Sequence, residues 1–192
     1  MGLLPGILAD YRRGASKDQC LWRVMPPKWS STPLSTAGAA LHGGRWNRPG
    51  VGALYLSERF DDLWPVATAW AEFQQDLGTR IGCLVPYEAD LVRVADLTDP
   101  DTTAKVGMAP GDLMCAWKAI RADGGTPPTW PLVDRLLAED VHAVRVPSAA
   151  RPGGVNLVVY RLDGAPGRLV RAIDPDSSLP VDQASWPAVQ GP

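Results

Sequence analysis

The amino-acid sequence predicts an α+β domain. Strand-like segments outnumber helical ones, and the two do not alternate in the regular order a doubly wound sheet requires. No G-x-G-x-x-G or G-x-x-x-x-G-K-S/T run occurs, so both familiar phosphate-binding strand–loop–helix fingerprints are absent. The chain has 192 residues, of which 45% are hydrophobic and 21% charged. That size and composition suit one domain with a full core.

The elements follow from local pattern. Residues 1–19 read as an N-terminal arm or short helix, with Asp10-Tyr11-Arg12-Arg13 preceding the breaker Gly14. Leu21-Trp22-Arg23-Val24 reads as the first strand, stopped by Pro26-Pro27. Residues 28–44, rich in Ser, Thr, Gly and Ala, read as a long loop, and 53–57 as the next strand. Over residues 61–77, Leu63, Val66, Ala67, Trp70 and Phe73 fall near helical spacing, and Pro65 lies in the first turns, where proline is tolerated. Residues 81–87 and 91–95 read as two strands, 96–110 as a polar loop, and 112–122 as a helix ended by Gly124-Gly125. A further helix is expected over 131–139, then strands over 143–148 and 156–162 separated by the turn Arg151-Pro152-Gly153-Gly154. Beyond Asp163 the composition predicts an irregular extension.

Composition excludes several functions. The net charge of −2, without a basic block, argues against a nucleic-acid-binding surface. Three scattered cysteines (Cys20, Cys83 and Cys115) and two histidines (His42 and His142) supply neither a disulfide framework nor a metal centre, so no metal and no prosthetic group is expected. No apolar run reaches membrane-spanning length, and the apolar start Met1–Leu8 lacks the features of a signal peptide. A cytoplasmic, reduced protein is the expectation. Eight tryptophans against two phenylalanines suggest that some indoles line a cleft.

The richest segment is Gly43-Gly44-Arg45-Trp46-Asn47-Arg48-Pro49-Gly50, followed by the strand carrying Tyr55. A guanidinium beside a flat ring suits a ligand that carries both phosphate and an aromatic heterocycle. Taken singly, the other candidates are ordinary: Arg23 and Arg45 as salt-bridge partners, Tyr55 as a sheet aromatic, Glu72 as a helix glutamate, Ser148 as a turn starter, Asn156 as a cap.

As a set they resemble the RES domain family, the toxin half of bacterial RES–Xre toxin–antitoxin modules. The resemblance rests on Leu21–Val24, Gly43–Asn47 with Pro49-Gly50, Tyr55–Ser57, Ala69-Trp70-Ala71-Glu72-Phe73-Gln74-Gln75, Trp117-Lys118, Pro127–Trp130 with Asp134-Arg135-Leu136, Val146-Pro147-Ser148 and Asn156–Val158. It spans residues 20–162, leaving 1–19 as an arm and 163–192 as an extension. It implies an ADP-ribosyltransferase-like single domain with a split, mostly antiparallel central sheet flanked by helices. It further implies a toxin that depletes NAD⁺ by cleaving the nicotinamide–ribose bond, by hydrolysis or by phosphorolysis with inorganic phosphate, and that an Xre-type protein antitoxin neutralises. Transfer of ADP-ribose to a protein target, or a non-catalytic nucleotide- or protein-binding module, are the alternatives, and a secreted effector is a minor one. Carried over by motif, Arg45, Tyr55, Glu72 and Ser148 would be catalytic, and Arg23, Trp46 and Asn156 would bind substrate. Residues 60–66 look like an insertion before Glu72, which leaves Glu58, directly after the strand, as the rival carboxylate.

Overall fold

The computed structural model describes residues 6–16, 19–58, 66–78 and 80–182. The chain folds around one seven-stranded sheet in the order β1-β4-β2-β3-β6-β5, with β7 added to β4. The strands are β1 (Leu8–Arg13), β2 (Leu21–Met25), β3 (Leu54–Ser57), β4 (Cys83–Asp96), β5 (Ala143–Pro147), β6 (Val155–Val159) and β7 (Arg168–Ala172). Every pairing is antiparallel except β4–β5. The beginning of β4 pairs with β2 and its last residues pair with β5, so the strand path returns to β4. The expected split is therefore a bend in one continuous sheet. It falls where the β1–β4 register shifts and Arg93 adopts a left-handed φ of 57°. The Arg93 guanidinium holds that conformation by donating to the Asp140 carbonyl (2.8 Å) and the Glu139 carbonyl, beyond the end of a helix.

Several expectations are corrected. The two strands expected over 81–87 and 91–95 are one, because alternation runs unbroken through the polar stretch between them. Tyr87, Ala89 and Leu91 are buried, while Glu88 and Asp90 point outward to Arg171 (2.6 Å) and Arg12 (3.0 Å). The arm around Asp10–Arg13 is an edge strand, whose charges suit an edge. Residues 168–172, placed in an irregular extension, form β7. The loop over 28–44 contains a 3₁₀ turn (Pro27–Trp29) and α1 (Ala37–His42). The polar loop over 96–110 contains α3 (Pro100–Lys105), where Asp99 caps the Thr102 N–H at 2.9 Å and Pro100 sits at the first position. The helix expected over 112–122 is two short ones, α4 (Pro110–Leu113) and α5 (Trp117–Ala122). α2 spans Ala67–Leu77 and α6 spans Thr129–Ala138. Residues 1–5 of the arm, 61–65 of the expected helix, 60–65 of the insertion, and 183–192 of the extension lie outside the described residues.

Period-two alternation sorts the core onto two faces of the sheet. Leu21, Met25, Leu54, Leu56, Tyr87 and Leu157 face one side, in a cluster drawn from strands alone. Trp46, Val144, Val146 and Val158 face the other and pack on Leu132, Val133 and Leu136 of α6. Beside them Ala69 and Phe73 of α2 cover Val24. The helix face carrying Thr68 and Glu72 therefore lies over Ser57, Asn156 and the end of β5. No described helix is long and apolar enough to cross a membrane.

Candidate functional site

Glu72 is the centre of a network built from two strands, the turn after β5 and one helix. Its Oε1 accepts from the Ser148 hydroxyl and from the Asn156 amide nitrogen, both at 2.6 Å. Each donor is itself fixed. Ser148 Oγ accepts from the Arg151 N–H at 3.1 Å, which directs its proton to Glu72. The Asn156 Oδ1 accepts from Ser57 Oγ at 2.8 Å, which settles the orientation of the amide. Ser57 and Asn156 are directly opposite in the β3–β6 register, so their side chains share a face. Both described partners of Glu72 are neutral, and among the described residues it is in no ion pair. Neither partner brings a cation to the carboxylate, and both fix its orientation.

Gly154, in the turn after Ser148, is required for this geometry. A Cβ there would lie 2.8 Å from Thr68 Oγ1 and 3.1 Å from the Arg151 carbonyl. The glycine lets the β5–β6 turn pass directly under α2.

Two residues before Ser57 on the same strand, and hence on the same face, Tyr55 supports the arginine loop. Its hydroxyl donates to Asn47 Oδ1 (2.8 Å) and accepts the Trp46 N–H (3.0 Å). Burial drives its phenol well above the ordinary tyrosine range, with the nearby Arg45 pulling the other way, so it is a neutral donor across the physiological range. A Cβ on Gly44 would sit 2.5 Å from the Tyr55 hydroxyl, so only glycine fits there. Asn47 is fully buried and donates to the Ala39 and Val51 carbonyls, both at 2.8 Å. Arg45 is half-buried, and its Nε donates to the Cys115 carbonyl at 3.2 Å. Among the described residues no carboxylate pairs with Arg45.

The structure thus brings Tyr55, Glu72, Ser148 and Asn156 onto one face of the sheet, with Arg45 beside Tyr55. It does not bring Arg23 there. On β2, Trp22 is the residue opposite Ser57, so Arg23 points to the other face, where it donates to the Pro33 carbonyl at 3.3 Å beside Tyr87. Trp46 is also corrected. Its ring is 1% exposed and packed in the α6-side core, out of reach of a ligand. Glu58 is buried in a separate ion-pair network. It accepts from Arg145 Nε and Nη2 (2.7 and 2.9 Å), Arg13 (3.3 Å) and the Tyr11 hydroxyl (2.8 Å). Ser57 and Asn47 belong to the motifs that carry the resemblance, but no role is assigned to them from the sequence. Their signals were a polar residue ending an apolar strand and an asparagine beside a diglycine turn.

A family model described as the RES domain matches residues 20–182. No curated protein matches the chain. Among solved structures, the fold is similar to a chain of the M. tuberculosis MbcT–MbcA toxin–antitoxin complex. The TM-score is 0.63 at 21% identity, over 87% of this chain and 84% of that one.

Proposed function

We propose, from the premise that this chain belongs to the RES domain family, that it is an NAD⁺-cleaving toxin restrained by a protein antitoxin. The observation that carries the reading is Glu72: a carboxylate oriented by two neutral hydrogen bonds, on the sheet face where Arg45 stands without a described counter-ion. Breaking the bond between ribose C1′ and the nicotinamide nitrogen sends the electron pair to nicotinamide and leaves a cationic, oxocarbenium-like ribose. A fixed negative charge beside it lowers that barrier, as in glycoside hydrolysis. Ser148 and Asn156 hold Oε1, so the carboxylate is oriented before the reaction begins.

Arg45 supplies a planar fork for the diphosphate. Tyr55, kept neutral by burial, holds the loop that carries Arg45. Water or inorganic phosphate then bonds to C1′ and loses a proton, giving ADP-ribose or its 1-phosphate. The likeness to a toxin bound to its antitoxin supports a partner of that kind.

The test is to incubate the purified protein with NAD⁺, with and without phosphate, and to follow free nicotinamide and the ribosyl product. Stoichiometric release of nicotinamide is expected. NAD⁺ left intact under both conditions would reject the reading and favour a non-catalytic binding module.

A further inference from the structure

The loop carrying Arg45 is held by side chains at consecutive backbone positions. The Gly44 carbonyl accepts from Trp130 Nε1 at 2.9 Å, and the Arg45 carbonyl accepts from the Thr129 hydroxyl. The Trp46 carbonyl accepts from the Tyr160 hydroxyl at 2.8 Å. Further along, Arg48 donates to both oxygens of Asp134, at 2.9 and 3.1 Å. Thr129, Trp130 and Asp134 all belong to α6, a helix whose apolar face is fixed against the sheet by Leu132, Val133 and Leu136. Thr129 is fully buried, so its hydroxyl cannot be replaced by water. A loop with a left-handed glycine at Gly43 (φ 72°) has no regular hydrogen-bond ladder to define it. These side-chain donors do that work instead.

We infer that Thr129 and Trp130 are positioning residues for Arg45: the first turn of α6 clamps the Gly44 and Arg45 carbonyls and so sets where the guanidinium stands. The inference rests on Arg45 serving the site described above. Deleting the Thr129 hydroxyl displaces the guanidinium without touching it.

A double-mutant cycle on NAD⁺ cleavage tests this. Thr129→Val lowers kcat/KM by about 3- to 10-fold, the range one net hydrogen bond carries. In an Arg45→Ala background the same change costs less than about 2-fold, since the group it positions is gone. Thr129→Ser, which keeps the hydroxyl, restores the rate. An equal loss in both backgrounds would overturn the inference. A second readout needs no activity: hydrogen exchange of the Arg45 Nε–H, assigned by its disappearance in Arg45→Lys. Thr129→Val accelerates this exchange and Thr129→Ser does not, while exchange of the β4 amides is unchanged. Trp130→Phe, which deletes the indole donor but keeps an aromatic ring, repeats the experiment should Thr129→Val fold poorly. If the unsubstituted protein leaves NAD⁺ intact, the NAD⁺ reading fails. The exchange measurement then decides the positioning role by itself, and an unchanged Nε–H rate refutes it.

Discussion

Glu58 directly follows β3 and Glu72 lies in the middle of α2, and they have opposite surroundings. Glu58 is 5% exposed and meets cations, with Arg145 gripping both its oxygens and Arg13 adding a third contact. Arg145 in turn reaches Asp96 and Thr98, each at 2.8 Å, tying β5 to β4 where they run parallel. Glu72 meets a hydroxyl and an amide instead. A carboxylate gripped by guanidinium is spent on structure, whereas one held by neutral donors is oriented without a counter-ion of its own. The difference lies in the partners, and it separates a structural glutamate from a candidate catalytic one that sequence position alone leaves as rivals.

The largest expected effect tests that separation directly. Glu72→Gln keeps volume and one acceptor but removes the charge, so NAD⁺ cleavage falls by about 10²–10⁴-fold, with the urea midpoint nearly unchanged. Glu58→Gln acts on the other side of the comparison. It weakens the grip of Arg145, which keeps Asp96 and Thr98, and lowers unfolding free energy by about 1–3 kcal/mol, measured by urea denaturation, while cleavage per folded molecule is kept. Arg45→Ala weakens NAD⁺ turnover by about 10-fold or more, the scale of a lost charged hydrogen bond. Arg45→Lys recovers only part of it, and a full recovery would reduce Arg45 to a generic charge.

A smaller effect comes from pH. Burial and the adjacent Glu58 hold the Tyr11 phenol well above its ordinary value of 10.0, and burial pushes Tyr87 up to about 12. Their contribution is complete below pH 10 and is lost as pH rises through the folded-state values, because the unfolded chain ionises first. Stability therefore declines from pH 10 upward. Tyr11→Phe makes that decline shallower in alkaline denaturation curves, and an unaltered slope would separate Tyr11 from the Glu58 network.

The sequence made the interior strands legible because their burial is written in apolar alternation: Leu21–Val24 lies in β2, the strand expected over 53–57 is Leu54–Ser57, and the one expected over 156–162 is Val155–Val159, shorter at its end. What it hid depends on partners far away in the chain. β1 is an edge whose Tyr11 and Arg13 turn to Glu58, and β7 is flanked by turn residues, so neither carries an apolar signature. α1 is a helix of 6 residues with no buried side chain, too short for an apolar period to mark it in the sequence. In the site, Glu72, Ser148 and Asn156 were legible only as members of a set, since each type alone has a commoner structural use. Arg23 and Trp46 were misplaced for one reason. Alternation fixes that Trp22 and Arg23 face opposite ways, but the tertiary fold decides which face holds the site. The adjacent pair Arg45-Trp46 divides in the same manner, with the guanidinium outward and the indole inward.

The most direct test sets the two glutamates side by side: nicotinamide release from NAD⁺ per folded molecule, for the unsubstituted protein, Glu72→Gln and Glu58→Gln. Release survives in Glu58→Gln and collapses in Glu72→Gln. Near-full release by Glu72→Gln, with loss in folded Glu58→Gln, would contradict this and move the catalytic carboxylate to Glu58.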